Sequence, residues 1–164
     1  MAAKNHPRAH LYELLKDFDT AMLVTHADDG ESHARPMAVA QLRPAAEAYF
    51  VTAIDSPKVG EIESNPRVTL TFQSSKQFAT VTGCMSVERD RALLDRLWKE
   101  PWKVWFPKGK SDPSLVLLKL DPEHGEYWDN TGIQGVKYAF EAAKAYAAGT
   151  TPATDRSQNA KVGL

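Results

Sequence analysis

The chain has 164 residues, with 20 lysine and arginine residues, 21 aspartate and glutamate residues, and a formal net charge of −1 at pH 7. This length suits one domain with one core. The near-neutral charge gives no electrostatic basis for binding nucleic acid or a membrane surface, and no apolar stretch approaches the length of a membrane span. The polar N-terminus and the single cysteine, Cys84, predict a cytoplasmic protein.

Hydrophobic spacing predicts short strands with helices between them. Leucines at helical spacing predict an amphipathic helix over residues 8–18. Gly83 predicts a bulge or a close approach of another segment inside one strand. Further helices are predicted after Pro57, over 88–100 and over 133–148. The predicted strands are 21–25, 32–42, 48–53, 67–72, 77–87, 114–120 and 125–128.

The order of these elements indicates a mainly β (α+β) protein in which helices pack around an antiparallel barrel. The chain contains no internal repeat and no domain linker. We therefore predict a single domain over residues 8–148. The segment 149–164 is polar and lacks hydrophobic periodicity, so we predict a disordered tail there.

Three hydrogen-bond donors follow the third predicted strand within seven residues. Thr52 ends the strand, Ser56 lies in the turn, and Lys58 comes directly after Pro57 at the start of a helix. The two hydroxyls, the lysine charge and the unpaired backbone N–H groups of a helix start can together hold a phosphate. The alternative is a capped helix start with a solvated lysine, which is the commoner meaning of such a motif in isolation.

Seven segments in this order resemble the FMN-binding split-barrel family, the pyridoxamine 5′-phosphate oxidase-like proteins. The resemblance covers roughly residues 11–130, and the similar branch is the general-stress-protein-26-like group. The segments are Arg35-Pro36-Met37, Tyr49-Phe50-Val51-Thr52, Ser56-Pro57-Lys58-Val59, Asn65-Pro66-Arg67-Val68, Gln77-Phe78-Ala79-Thr80-Val81-Thr82-Gly83, Trp105-Phe106-Pro107 and Glu126-Tyr127-Trp128.

The resemblance implies a six-stranded antiparallel split β-barrel with flanking helices. It also implies a homodimer that holds FMN between its two subunits. In the family, a glutamine at the position of Gln77 reaches the polar edge of the flavin ring, and Ser75 is added to the implied site as its neighbour. The cofactor-binding residues that the resemblance implies are Arg35, Pro36, Met37, Val51, Thr52, Ser56, Lys58, Ser75, Gln77, Trp105, Phe106 and Trp128.

Several of these residues have a simpler structural interpretation. Taken alone, Arg35 is typical of a surface arginine on an edge strand, and Trp128 of a core strand tryptophan. Trp98, Trp102 and Trp105 follow helical spacing, which fits a packing face and a subunit interface equally well. The five histidines show no convincing ligand spacing, so no metal site is predicted.

The resemblance predicts a flavoprotein whose redox chemistry comes from the bound flavin, because no dedicated acid or base is evident. Two alternatives remain: a non-catalytic flavin-binding stress or sensor protein, and the same fold with a deazaflavin or haem. The true oxidases carry an arginine-histidine pair after the last strand, whereas this chain has Asp129-Asn130-Thr131. Oxidation of pyridoxamine 5′-phosphate is therefore not expected.

Overall fold

An antiparallel sheet of eight strands forms the framework of the computed structural model, which describes residues 6–152 and 158–164. The strands are β1 (Thr20–His26), β2 (Ser32–Ala38), β3 (Gln41–Leu42), β4 (Ala48–Ala53), β5 (Arg67–Gln73), β6 (Gln77–Glu88), β7 (Leu115–Asp129) and β8 (Asn159–Gly163). The α-helices within these residues are α1 (Pro7–Leu15), α2 (Pro57–Ser64), α3 (Arg91–Leu97) and α4 (Gly132–Ala148). Short 3-10 turns occur at Pro44–Ala46, Glu100–Val104 and Gly109–Ser111.

The sheet curls so that its two ends approach each other. Its strand order is β2-β1-β5-β6-β7-β4-β3, and β8 adds to β7 outside this path. The first part of β7 pairs with β4, and its last part pairs with β8. At the meeting ends, β2 contacts β4, and the Ala40 amide donates to the Tyr49 carbonyl at 2.8 Å. The predicted split-barrel architecture is confirmed.

Alternation along the strands places the core inside the curl. Leu23, Leu70 and Val81 are buried on the inner face, whereas their outward neighbours are half-buried or exposed. Leu11 and Leu15 of α1 pack into the same core, as the helical spacing predicted. None of the helices in the described part of the chain has the length and hydrophobicity that crossing a bilayer requires.

The sheet has eight strands rather than the six that the resemblance implies, and outside the tail it differs in two places from the seven strands predicted from the sequence. The predicted strand over 32–42 is divided into β2 and β3, and the two predicted strands over 114–120 and 125–128 are one continuous strand, β7. The register of β6 against β7 shifts between Thr82 and Gly83, which leaves Glu123 as an extra residue of β7, and β7 continues through this irregularity. Of the two predicted alternatives at Gly83, the close approach of another segment is confirmed, because the Asp121 and Pro122 backbone leaves no room for a Cβ there, while the extra residue at the register shift belongs to β7.

The prediction of a disordered tail is wrong for Asn159–Gly163, which forms β8. Ala160 and Val162 alternate inward and are buried against the core, while the backbone pairs with β7. Two apolar residues are too weak a sequence pattern to identify a strand. The strand forms because its backbone pairs with β7, which is distant in sequence. The tail residues 153–157 lie outside the part of the chain that the structure describes.

Candidate functional site

A cleft of about 430 Å³ lies where the two ends of the curled sheet meet. Residues of β2 form one wall, the end of β4 and the start of α2 form another, and the aromatic segment after α3 forms the third. The lining residues are Thr20, Pro36, Met37, Ala38, Val51, Thr52, Ala53, Ser56, Lys58, Trp102, Trp105 and Phe106.

One end of the cleft is cationic. The Lys58 ammonium donates to Thr52 Oγ1 at 3.1 Å and to Ser56 Oγ at 2.5 Å. Extended backbone at Ser56 and the fixed φ of Pro57 start α2 here, so that Lys58 lies in its first turn. Partial burial, assisted by the nearby positive charge of Arg35, lowers the Lys58 pKa, while Glu61 opposes this effect. We call this group of Thr52, Ser56 and Lys58 the anion end.

The other end of the cleft is aromatic. The 3-10 turn Glu100–Val104 has Pro101 as its second residue and carries the buried Trp102, and the chain continues into Trp105 and Phe106. Trp98 packs edge-to-face on Trp102, with ring centroids 5.8 Å apart. Trp105 keeps 63% of its surface exposed. A large apolar ring system with an anionic substituent would match these two ends.

Arg35 lies outside the cleft lining, in a polar cluster beside the anion end. Its guanidinium pairs with Glu61 Oε2 at 3.0 Å and donates to Thr25 Oγ1 at 2.5 Å. Thr25 is fully buried and donates to Glu61. His33 Nδ1 lies 2.6 Å from Glu61 Oε1. We call these four residues the Glu61 cluster. It joins α2 to β1 and β2, so Arg35 holds the helix rather than facing the cleft.

The Glu61 cluster predicts a loss of stability in acid. The hydrogen bond from Thr25, with those from His33 and Arg35, lowers the Glu61 pKa to about 2, against burial that opposes the shift. A depressed folded-state pKa contributes stability above the ordinary value of 4.5, and this contribution is lost as pH falls toward 2. Urea unfolding at several pH values should show wild type more stable than Glu61→Gln at pH 7, with a difference that shrinks below pH 4.5. A pH-independent difference would contradict this assignment.

Eight of the twelve predicted site residues line the cleft. They are Pro36, Met37, Val51, Thr52, Ser56, Lys58, Trp105 and Phe106. Gln77 and Trp128 lie elsewhere on the sheet, where β6 and β7 pair Gln77 with Asp129 and Phe78 with Trp128. Ser75 is exposed in the turn before β6. Gln77, Trp128 and Ser75 are thus close in the fold but absent from the cleft lining of their own chain, and strand alternation places the Gln77 and Trp128 side chains on opposite faces of the sheet.

Four lining residues were missed by the sequence prediction: Thr20, Ala38, Ala53 and Trp102. Ala38 follows two predicted residues and pairs with Thr20 across β1 and β2, so strand alternation from Pro36 could have identified Ala38. Trp102 belonged to the tryptophan series whose packing and interface interpretations were equally weighted. The packing interpretation is confirmed for Trp102, which is buried, and the residue also borders the cleft.

The lining contains one titratable side chain, Lys58. No carboxylate, imidazole, thiol or phenol borders the cleft within the described residues. The arrangement can therefore bind and orient a ligand, exclude water from one of its faces and neutralise an anionic group. Proton transfer to a substrate by a carboxylate or imidazole of this cleft is not available in a single chain.

The curled antiparallel sheet, with its ligand-sized cleft at the meeting edges, defines the protein as a split-barrel protein. The chain belongs to the family described as pyridoxamine 5′-phosphate oxidase like, because the family model matches residues 6–153. The resemblance inferred from the sequence motifs is therefore confirmed.

Proteins similar to this chain include several of the general stress protein 26 type. General stress protein 26 of Bacillus subtilis (strain 168) is 29% identical over 99 residues, covering 57% of this chain and 69% of that protein. A crystal structure assigned as general stress protein 26 from Jannaschia sp. CCS1 is 26% identical, covers 100% of both chains and has a TM-score of 0.72. The general stress FMN/FAD binding protein from Xanthomonas citri is 33% identical over 74% of this chain and 87% of that chain, with a TM-score of 0.62.

Proposed function

We propose that this protein binds FMN in the cleft, with the phosphate at the anion end and the ring system toward the aromatic end. The observation that carries the proposal is the placement of Lys58, Thr52 and Ser56 at one end of a cleft whose other lining residues are mainly apolar. Its volume of about 430 Å³ falls in the range of about 300–1,000 Å³ typical of small-molecule sites. The FMN/FAD binding of the similar Xanthomonas citri protein supports the same ligand class.

The residues present fit FMN chemically. A lysine charge and two hydroxyls can each donate a hydrogen bond to a phosphate monoester, and Val51, Met37 and Trp105 offer apolar contacts to a planar ring. When bound, FMN supplies hydride or electron transfer. The chain itself contributes binding, orientation and shielding from water.

Titration of apo-protein with FMN tests the proposal. We expect saturable quenching of flavin fluorescence at about one FMN per subunit. Mass analysis of the small molecule released on denaturation separates FMN from FAD, a deazaflavin or haem. The absence of a saturable change at micromolar protein would overturn the proposal, and release of another cofactor would redirect it.

We further propose a homodimer, which is supported by the outer face of the sheet. Two cross-strand rows on β2, β1, β5 and β6 carry no charged side chain, although they lie outside the curl. The rows are Pro36–Met22–Thr71–Thr80 and Ala34–Val24–Thr69–Thr82. Pro36 also lines the cleft, so this uncharged face is continuous with the ligand site. A second copy covering it would bring the partner's polar and aromatic side chains to the ligand.

Light scattering should give about twice the chain mass of 18.2 kDa. Thr71 lies near the middle of the uncharged face, so Thr71→Arg should produce monomers and weaken FMN binding, because an unpaired charge in an interface is costly. Thr71→Val serves as the matched control and should remain dimeric. A wild-type monomer that binds FMN tightly, or a dimeric Thr71→Arg variant, would contradict the proposed interface.

Two activities are compatible with a bound flavin in this cleft. Turnover by hydride transfer needs no protein acid or base at the donor, which fits a lining whose sole titratable group is Lys58. A non-catalytic flavin-binding stress or sensor protein fits the same lining. Steady-state oxidation of a reduced nicotinamide by the FMN-loaded protein distinguishes the redox enzyme from the binder.

The protein should be a poor pyridoxamine 5′-phosphate oxidase. In the segment after Trp128, the buried Asp129 carboxylate lies 2.9 Å from His10 and accepts two hydrogen bonds from Thr131. This segment thus has a hydrogen-bonded carboxylate where the true oxidases have an arginine-histidine pair. A carboxylate at this position would repel the phosphate of the substrate. Incubation of FMN-loaded protein with pyridoxamine phosphate and oxygen should yield little pyridoxal phosphate. Turnover of about one per second or faster would show the prediction to be wrong.

A further inference from the structure

A carboxylate stands beside the anion end of the cleft. Glu61 follows Lys58 by three residues on α2, close to one helical turn, and its side chain is only 12% exposed. It is held there by Arg35, Thr25 and His33, as described for the Glu61 cluster. A partly buried negative charge at this position repels an anionic ligand, so Glu61 should lower the affinity of the anion end for a phosphate.

Three charged side chains, Lys58, Arg35 and Glu61, interact at or beside the anion end. Lys58 and Arg35 are two cations whose charges interact across α2 and β2, since Arg35 contributes to the lowered pKa of Lys58. Glu61 acts on Lys58 with the opposite sign. The three groups together carry a net charge of +1. Without the carboxylate the net charge would be +2, and Arg35 would be a partly buried cation without its carboxylate partner.

We propose that Glu61 is a built-in counter-ion that pairs with Arg35 and limits the affinity of the anion end for a phosphate monoester. The inference rests on the proposed FMN function and identifies a residue that limits the preference for phosphorylated over unphosphorylated flavin, a preference that Lys58 provides. Arg35 then acts on the ligand through its charge, while Lys58, Thr52 and Ser56 make the contacts. Pairing stabilises the fold because an isolated charge of this kind is costly to bury.

Flavin fluorescence titrations of the full chain test the proposal, with FMN and riboflavin as the two probes. At about pH 8 the phosphate of FMN is a dianion, and riboflavin has no phosphate. Glu61→Gln should bind FMN about fivefold more tightly than wild type at low salt, because a repulsive charge is removed from a screened, partly exposed site. Its riboflavin affinity should stay unchanged. Glu63→Gln is the matched control, since Glu63 is exposed on the same helix.

A double variant separates charge from direct contact. Arg35→Gln alone should weaken FMN binding and leave riboflavin binding unchanged, because the negative charge of Glu61 near the anion end then has no Arg35 charge to offset it. The combined Arg35→Gln and Glu61→Gln variant restores the net charge of the site, so its FMN affinity should return to within about twofold of wild type. If Arg35 were a direct ligand, the double variant would stay as weak as Arg35→Gln.

The outcomes distinguish this inference from the proposed function. A wild-type protein that binds neither flavin contradicts the proposed function itself. If wild type binds FMN but the folded Glu61→Gln variant binds it equally or more weakly, the counter-ion role is overturned. Should Glu61→Gln fail to fold, the double variant decides, since it leaves neither charge unpaired: near-wild-type FMN affinity supports the role, and affinity as low as that of Arg35→Gln overturns it.

Discussion

Lys58→Ala is expected to weaken FMN binding by about 10- to 150-fold and to leave riboflavin binding nearly unchanged. A charge-assisted hydrogen bond is worth about 1.5–3 kcal/mol, and Lys58 supplies the positive charge at the anion end. Riboflavin has the same ring system but no phosphate, so it should not sense the missing ammonium. The ratio of the two dissociation constants is therefore the quantity to measure.

The controls for this variant isolate the charge from the fold. Lys58→Arg retains a cation at the helix start and should recover part of the FMN affinity. Lys16→Ala removes an exposed lysine of α1 that pairs with Glu13 on the same helix, and it should bind both flavins as wild type does. Equal losses of FMN and riboflavin affinity in Lys58→Ala would show that Lys58 acts by holding α2 in place.

The anion end could be predicted from sequence because it is local. Thr52, Ser56 and Lys58 lie within seven residues, and strand end, turn and helix start fix their relative positions whatever the rest of the chain does. The aromatic wall could be predicted only as a cluster. Its position against β2 and β4 depends on tertiary packing, which includes the Arg91 guanidinium donating to the carbonyls of Asp112 and Leu115.

The ion pair of Arg35 could not be predicted from local sequence, because its partner is distant along the chain. The position of Arg35 beside Pro36 in β2 was predicted correctly, but alternation turns the Arg35 side chain to the face opposite Pro36, toward Glu61 on α2. Glu61 is 26 residues away in sequence, and nothing in the spacing of charges identifies it as the partner. The resemblance supplied a cofactor role for Arg35, whereas the ion pair is a property of this particular packing.

Two other predicted site residues, Gln77 and Trp128, lie outside the cleft lining of their own chain. They lie on the paired strands β6 and β7. Trp128 is 38% exposed, as is Met22 on the uncharged outer face. A single chain therefore presents two incomplete parts of the predicted site. Their union in one site is a consequence of the proposed homodimer, and the Thr71→Arg variant tests it.

Gly83→Ala should destabilise the fold by about 2–3 kcal/mol, the largest stability effect that we expect. A Cβ at this position would lie 2.2 Å from the Asp121 carbonyl oxygen and 2.8 Å from the Pro122 Cα. Both are backbone atoms, so the clash is relieved only by separating β6 from β7 at the register shift. Overpacking of this kind typically costs about 1–3 kcal/mol, and the neighbouring strand hydrogen bonds would weaken as well.

Gly60→Ala is the matched control for this substitution. Gly60 lies inside α2, and a Cβ there would meet nothing within 4 Å. Alanine in a helix interior should stabilise the fold by about 0.5–1 kcal/mol. Urea unfolding should therefore move the two midpoints in opposite directions. A Gly83→Ala midpoint equal to that of wild type would mean that the pairing of β6 with β7 tolerates a Cβ at the register shift and that the close approach does not contribute to stability.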